Sequence, residues 1–335
     1  MRKVKVGYQF DFRNPPGSGR SFDDLYREMF RQAEAAEALG FDSLWLTEHH
    51  FTDDGYLPSM MPMAAALAAR TRRVTIGTYV LLVPFHHPVK LAEDAAVTDV
   101  ISGGRLRLGI GLGYRAEEFA GFGFARNERL GRTIETIGIL RRAWTGERFS
   151  HKGKYFDLKD VRVLPVPVSP GGPELLWGAG AAKTIARAAS LGLGFACVGG
   201  KREIGIYRDA LTAAGKDPDQ FNIVNSRVVY IADSEEEAWR DAAPPLMYQA
   251  ALYGRWLSDA YGDKSRVIIK PDEEWLRRSA VLGPVEVVMR KIEEIVDTTP
   301  MTEFIVVTQL PGLDPAKAFR SLNVFGEKIL PRMKG

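Results

Sequence analysis

The chain has 335 residues, 45% of them apolar and 26% charged, with a formal net charge of +3 and one cysteine, Cys197. That length suits one large α/β barrel or two medium domains with a sizeable core, and the balanced charge, without a long basic tract, argues against nucleic-acid or membrane-surface binding. A lone cysteine excludes an internal disulfide and a cysteine-rich zinc site, and no apolar run approaches the ~20 residues that span a bilayer or resembles a secretory signal, so a cytoplasmic protein is expected.

Residues 3–10 alternate like a strand. Phe22–Leu39 predicts an amphipathic helix, with Ser21 as its cap, Asp23 and Asp24 in its first turn and Gly40 ending it. FDSLWLTE reads as the second strand, SMMPMAAALAAR as a helix despite Pro62, and RVTIGTYVLLV as a buried third strand. PVKLAEDAAVTDVI is a helix closed by Gly103 and Gly104, and RLRLGIGLG is a strand entering a glycine-rich loop. A helix in NERLGRTIETIGILRRAWTG precedes the strand PELLWGAG, the helix AAKTIARAASLG, the strand LGFACVGG and the helix KREIGIYRDALTAAG. The strand NIVNSRVVYIA, a helix starting at DSEEEAWRDAA, the helix PVEVVMRKIEEIV, the strand EFIVVTQ and the helix PAKAFRSLNVFGEKIL complete the chain.

Eight apolar strands alternating with helices imply a parallel sheet covered by helices, and eight units suit a closed (β/α)8 barrel, with an open doubly wound sheet as the alternative. The reading is one domain over residues 1–335 with two insertions. Residues 146–172, after strand four, predict a hairpin and a proline-rich connection. Residues 244–283 interrupt the unit after strand seven.

Barrel enzymes place their chemistry at the C-terminal ends of the strands. Strand two exits as TEHHF, bringing Glu48, His49 and His50 together, and His86 and His87 follow strand three; these are four of the five histidines. A shared metal site is disfavoured, because neighbours on a strand point to opposite faces and no H-x-H or H-x-x-x-H pair exists. His87 before Pro88 fits a helix start. The first pair fits proton chemistry better. GAGAAKT after strand five opens a helix without bulky side chains. That suits either an anion pocket, with Lys183 adding charge, or close helix–strand packing. Gly200, Lys201 and Arg202, leaving strand six, either complete such a pocket or begin a solvated helix.

Taken together, LGFDSLWLTEHHF, RRVTIGTYVLLVPFHHPVKLAEDAAVTDVISGGRLRLGIGLGYRAEEFAGFG, RLGRTIETIGILRRAWTGERFSHKGKYF and LLWGAGAAKTIARAASLGLGF resemble the bacterial luciferase-like monooxygenases, flavin enzymes with a (β/α)8 barrel. The resemblance covers most of residues 3–200 and continues weakly to the C-terminus. It implies that His49 faces the flavin's reactive edge, with Glu48 and His50 as its supports. It implies a strand-three bulge under the ring at Thr78, Tyr79 and Val80, which in several members holds a non-proline cis peptide. It implies flavin and phosphate contacts at Gly111, Gly113, Gly178, Ala179, Gly180, Ala181, Val198 and Gly199. Luciferase itself differs where this chain has Gly111, Leu112 and the Ala179 and Gly180 pair, so the phosphate contacts must differ, with backbone N–H groups, Lys183 or Arg115 as substitutes. Phe10 and Phe51, with Tyr79 and the second insertion, are expected to bound the substrate.

The implied activity is a monooxygenase that uses reduced FMN and O2, through a C4a-peroxyflavin, to oxygenate a small organic substrate. A separate reductase would supply the flavin, no metal would take part, and the enzyme would be a homodimer. An F420-dependent hydride-transfer oxidoreductase is the alternative, and a non-catalytic flavin-binding barrel a second; EHHF resembles the FMN side of the family.

Overall fold

A computed structural model describes residues 1–262, 269 and 272–334. Eight parallel strands form a closed ring: β1 (Lys5–Gln9), β2 (Ser43–Leu46), β3 (Thr75–Leu82), β4 (Leu106–Gly111), β5 (Glu174–Ala179), β6 (Gly194–Cys197), β7 (Ile223–Ile231) and β8 (Glu303–Val307). Neighbours pair in sequence order, β6 pairs with β7 at Phe195 and Ile223, and β8 pairs back onto β1 at Glu303 and Lys5. The fold is therefore a (β/α)8 barrel, and the closing β6–β7 and β8–β1 pairs rule out the open sheet.

The helices sit where caps and apolar periodicity put them. Helix α1 (Phe22–Leu39) starts at Ser21, whose side chain accepts from Asp24 N, and ends at Gly40 with φ +94°. Helix α2 (Met60–Arg70) carries Pro62 in its first turn, where the missing N–H has no intrahelical partner to lose. Helix α3 (Pro88–Ser102) begins after His87 and closes on Gly103 at φ +68°. A short helix not expected from the sequence, α4 (Ala116–Phe122), follows β4, and α5 (Arg129–Ala143) comes after it. Two helices, α6 (Ala182–Leu191) and α7 (Lys201–Ala213), flank β6.

Residues 146–172 contain an antiparallel hairpin, Phe149–Lys152 with Asp157–Val161. The insertion expected over 244–283 begins inside a helix. Helix α8 (Glu235–Tyr261) runs through Pro244 and Pro245, because Ala242, Pro245 and Leu246 stay on its buried face. The remainder of 244–283 holds α9 (Glu273–Ser279) and Val281–Gly283, which adds a short parallel strand to β7; residues 263–268, 270 and 271 of that expected insertion lie outside the described residues. Helix α10 (Val285–Thr298) precedes β8, and α11 (Pro315–Val324) follows it.

The lumen is filled, as barrel lumens are. Trp45 of β2 occupies its lower part, with Leu176, Ala196, Val224 and Ile305 around it. The ring leaves no room for side chains at two neighbours: a Cβ on Gly7 would lie 2.7 Å from Trp45 Nε1, and one on Gly77 2.4 Å from the indole carbons. Above Trp45, the β3 register shifts between Thr78 and Leu81, and the Tyr79–Val80 peptide in that bulge is cis.

Candidate active site

The four residues after β2, Thr47 to His50, are all buried. Extended backbone sends the two imidazoles to opposite sides. His50 Nε2 lies 2.7 Å from Glu48 Oε1, while Glu48 Oε2 accepts from Leu82 N at 2.8 Å and so ties the β2 exit to β3. His86, of the second pair, brings its Nε2 within 3.7 Å of Glu48 Oε1, and His87 serves as the helix-start residue.

His49 has a different partner. Its Nδ1 lies 2.8 Å from Glu118 Oε1, on the first turn of α4. The same oxygen accepts from His50 N at 3.0 Å, and Arg115 Nη1 donates to His50 O at 2.6 Å. Arg115 and Glu118 thus clamp the backbone that carries His49. Glu48 and His50, expected as supports of His49, instead pair with each other, because strand alternation places them on the far side. Arg115, offered as a phosphate contact, is turned inward with its Cζ 4.2 Å above the Trp256 ring.

Burial lowers the His49 pKa below its usual value, outweighing the opposing hydrogen bond and charge of Glu118, and the Arg115 and Arg13 cations lower it further. The imidazole is therefore neutral at pH 7. With Nδ1–H directed at the carboxylate, Nε2 keeps its lone pair and makes no hydrogen bond among the described residues. For Glu48, burial raises the pKa, but the His50 hydrogen bond and nearby His86 prevail and bring it down to about 2. Burial pushes the Cys197 thiol up to about 12, so it is no thiolate nucleophile.

Four aromatic rings box in His49: Tyr56 and Trp256 at 4.9 Å, Tyr114 at 5.6 Å and Tyr253 at 5.7 Å between centroids. Tyr253 and Trp256 come from α8, which lies over the β1, β2 and β4 exits. Behind the box, the Arg13 guanidinium pairs with Asp11 and stands 4.9 Å from the Tyr56 centroid. Tyr56 and Tyr253 join hydroxyls at 2.9 Å.

The bulge forms the floor of the mouth. Tyr79 Oη crosses to donate to Cys197 O, and Thr78 Oγ1 donates to Gly109 O at 2.7 Å. The Val80 side chain fills the space left by two glycines, so that a Cβ would meet it at 2.4 Å on Gly111 and at 2.7 Å on Gly178. These glycines of the strand-four and strand-five exits thus serve close packing. Gly113, at φ +68°, turns the β4 loop towards α4. Ala179 is buried, Gly180 partly so, and Ala181 and Lys183 are exposed at the start of α6; Val198 is 52% exposed beside Gly199 at the β6 exit. Gly200 N is taken by Glu203, which makes Gly200, Lys201 and Arg202 the start of α7.

Phe10 and Phe51 do not line the box. Phe10 is fully buried in the core against Tyr8 and Phe12. Phe51, at φ +55°, is turned outward onto Phe122 and is 59% exposed. The box residues that sequence reasoning missed are Glu118, Arg13 and Tyr56; Tyr253 and Trp256 were not singled out, but they belong to the second insertion, which was expected to bound the substrate. A cavity of about 310 Å³ at the N-terminal ends of β5 and β6, lined by Arg141, Trp144, Glu174, Gly194 and Gln220, lies at the wrong end of the barrel for this chemistry.

A (β/α)8 barrel with a buried histidine on a carboxylate at its C-terminal mouth, above a bulged third strand, has the layout of a barrel enzyme. Residues 4–301 match the family model of the luciferase-like monooxygenases. Monooxygenase RslO1 from Streptomyces bottropensis is 28% identical with a TM-score of 0.83, covering 98% of this chain and 99% of that one. The oxygenating constituent of 3,6-diketocamphane monooxygenase from Pseudomonas putida, solved in complex with FMN, is 25% identical with a TM-score of 0.82 over 98% and 99%. The F420-dependent glucose-6-phosphate dehydrogenase of Mycolicibacterium gilvum is 30% identical over 100% of this chain and 99% of its own. The chain belongs to the luciferase-like monooxygenase family and is an oxidoreductase.

Proposed function

We propose that this enzyme is a monooxygenase that uses reduced FMN and O2 to oxygenate a small organic substrate, with a separate reductase supplying the flavin. The observation that carries the reading is the buried His49, held by Glu118 beside the Tyr79–Val80 floor. The residues present fit such a cofactor. Tyr79 and Val80 offer a flat base, Ala181 leaves the first N–H groups of α6 uncapped, and Asn225 Oδ1 is buried without a partner among the described residues.

When bound, reduced FMN supplies the two electrons that let one atom of O2 enter the substrate and the other leave as water. Glu118 fixes the tautomer and ring direction of His49, so Nε2 is the atom that accepts a proton and returns it. The rings of Tyr56, Tyr114, Tyr253 and Trp256 leave His49 only 6% exposed. His49→Ala is expected to abolish most product formation while reduced FMN still binds; unchanged turnover would remove His49 from the mechanism.

A hydride-transfer enzyme using F420 is the second reading, favoured by the 30% identity to the Mycolicibacterium gilvum dehydrogenase. Anaerobic titration with reduced FMN and with F420, followed by O2 uptake with a flavin reductase, separates the two. Tight F420 binding without O2 uptake would overturn the monooxygenase reading. The proposal includes a cytoplasmic homodimer. The free buried Cys197 supports the compartment, and the outward Val97, Val100 and Ile101 of α3 support the pairing. No described helix is long and apolar enough to cross a membrane.

A further inference from the structure

Tyr79 leaves the β3 bulge, packs edge-on against Trp45 with ring centroids 6.1 Å apart, and reaches across the mouth to donate its hydroxyl to Cys197 O at the end of β6. It is a brace laid over the lumen, and a brace is only as fixed as its far end. That end is held by Asn225 of β7, which is 1% exposed. Asn225 Nδ2 donates to Cys197 O at 2.9 Å and to Gly199 O at 3.0 Å. The two carbonyls flank Val198, so the peptide units around that residue are pinned to one amide. Ala196 lies in the lumen layer, and alternation carries Val198 to the same side, where it is 52% exposed.

Neither carbonyl needs this clamp to be satisfied. Without Asn225, Cys197 O keeps the Tyr79 hydroxyl and Gly199 O keeps Arg227 Nη1 at 3.4 Å. The clamp also leaves Asn225 Oδ1 buried with no partner among the described residues, which costs stability. A side chain that adds little to folding yet fixes two carbonyls of one strand exit acts on the shape of that exit. We propose that Asn225 is a positioning residue for the cofactor: by pinning Cys197 O and Gly199 O it holds Tyr79 and Val198 as two fixed contacts for a flat cofactor ring. Fixing both contacts before the ring arrives removes an ordering cost from binding. This rests on the reading of the bulge as a cofactor floor, and it applies to FMN and to F420 alike.

The test is anaerobic titration of the full-length protein with reduced FMN and with F420. It reads the dissociation constant and the circular dichroism of the bound cofactor, with urea midpoints measured beside them. Asn225→Leu, of similar volume, should bind the cofactor that the wild type takes at least ~5-fold more weakly and alter its dichroism, with a urea midpoint at or above that of the wild type. Tyr79→Phe should also weaken binding, and the double variant should lose less than the product of the two single effects, because both side chains act on Cys197 O. Val198→Ala, at a half-exposed position, should weaken binding without altering the urea midpoint, and it decides the matter if Asn225→Leu does not fold. Wild-type affinity and dichroism in Asn225→Leu, or full affinity in Val198→Ala, would overturn the inference. A wild type that binds neither cofactor would remove it together with both readings of the function. A wild type that binds F420 and takes up no O2, with the Asn225→Leu loss as described, would remove the FMN reading and leave the role of Asn225 standing.

Discussion

Glu48 and Glu118 are two buried carboxylates, each holding one imidazole of the same His-His pair, and they have different consequences. Glu118 orients His49 inside the box, whereas Glu48 fastens His50 and the Leu82 amide and holds the β2 and β3 exits together. The Glu48 pKa falls from 4.5 to about 2 on folding. Its stabilising contribution is thus complete above pH 4.5 and is lost as pH drops towards 2. Between pH 7 and pH 3 the wild type should lose about 2 kcal/mol more stability than Glu48→Gln, measured by urea unfolding at both pH values. His49 has a lowered pKa and so also costs stability as pH falls below its ordinary 6.5, but it does so equally in both proteins and drops out of the difference. An identical pH slope in the two proteins would mean that folding leaves the Glu48 pKa unshifted.

Among the elements, β3 and β4 are fitted to each other through one glycine. A Cβ on Gly109 would sit 2.0 Å from Thr78 O, a backbone atom at the start of the bulge that cannot swing away. Gly109→Ala should therefore destabilise the fold by about 2–3 kcal/mol, as overpacking does. Gly138, exposed on α5 with nothing near its Cβ position, should behave oppositely, Gly138→Ala gaining roughly 0.5–1 kcal/mol. Denaturant midpoints of the two variants check both signs. Elements like α1 were legible because the signals are local: Ser21 caps it and Gly40 ends it at the residues expected. Helix α4 was not, since seven residues carry too little periodicity, although Glu117 and Glu118 following Arg115 are a first-turn pattern. That omission hid the partner of His49. The continuity of α8 through Pro244 and Pro245 was equally hidden, because it depends on what the helix packs against, so Tyr253 and Trp256 were not singled out although their segment was expected to bound the substrate. Strand alternation did separate His49 from His50. The half of the site read from one strand was therefore accessible, and the half supplied by distant elements was not.

At the scale of the molecule, α3 is apolar on two sides. Leu91, Ala92, Ala95 and Ala96 are buried against the barrel, while Val97, Val100 and Ile101 face outward at 43–46% exposure. Their spacing of three and four residues makes one continuous outer stripe. A helix with apolar residues on both faces is normally covered on both, and a contiguous exposed apolar patch marks an interaction surface. A second copy of the chain presents the same stripe, and a twofold axis lets such a surface cover itself without a separate partner. The homodimer in the proposed function is therefore expected to pair through α3. Analytical ultracentrifugation at micromolar concentration should give a dimer for the wild type. Val100→Glu, which places a charge from each copy close to the axis, should weaken association at least ~10-fold and leave the circular dichroism of the barrel unchanged, because Val100 lies outside the buried face of α3 and is 43% exposed. A wild-type monomer, or a Val100→Glu dimer of undiminished affinity, would assign the stripe to some other contact.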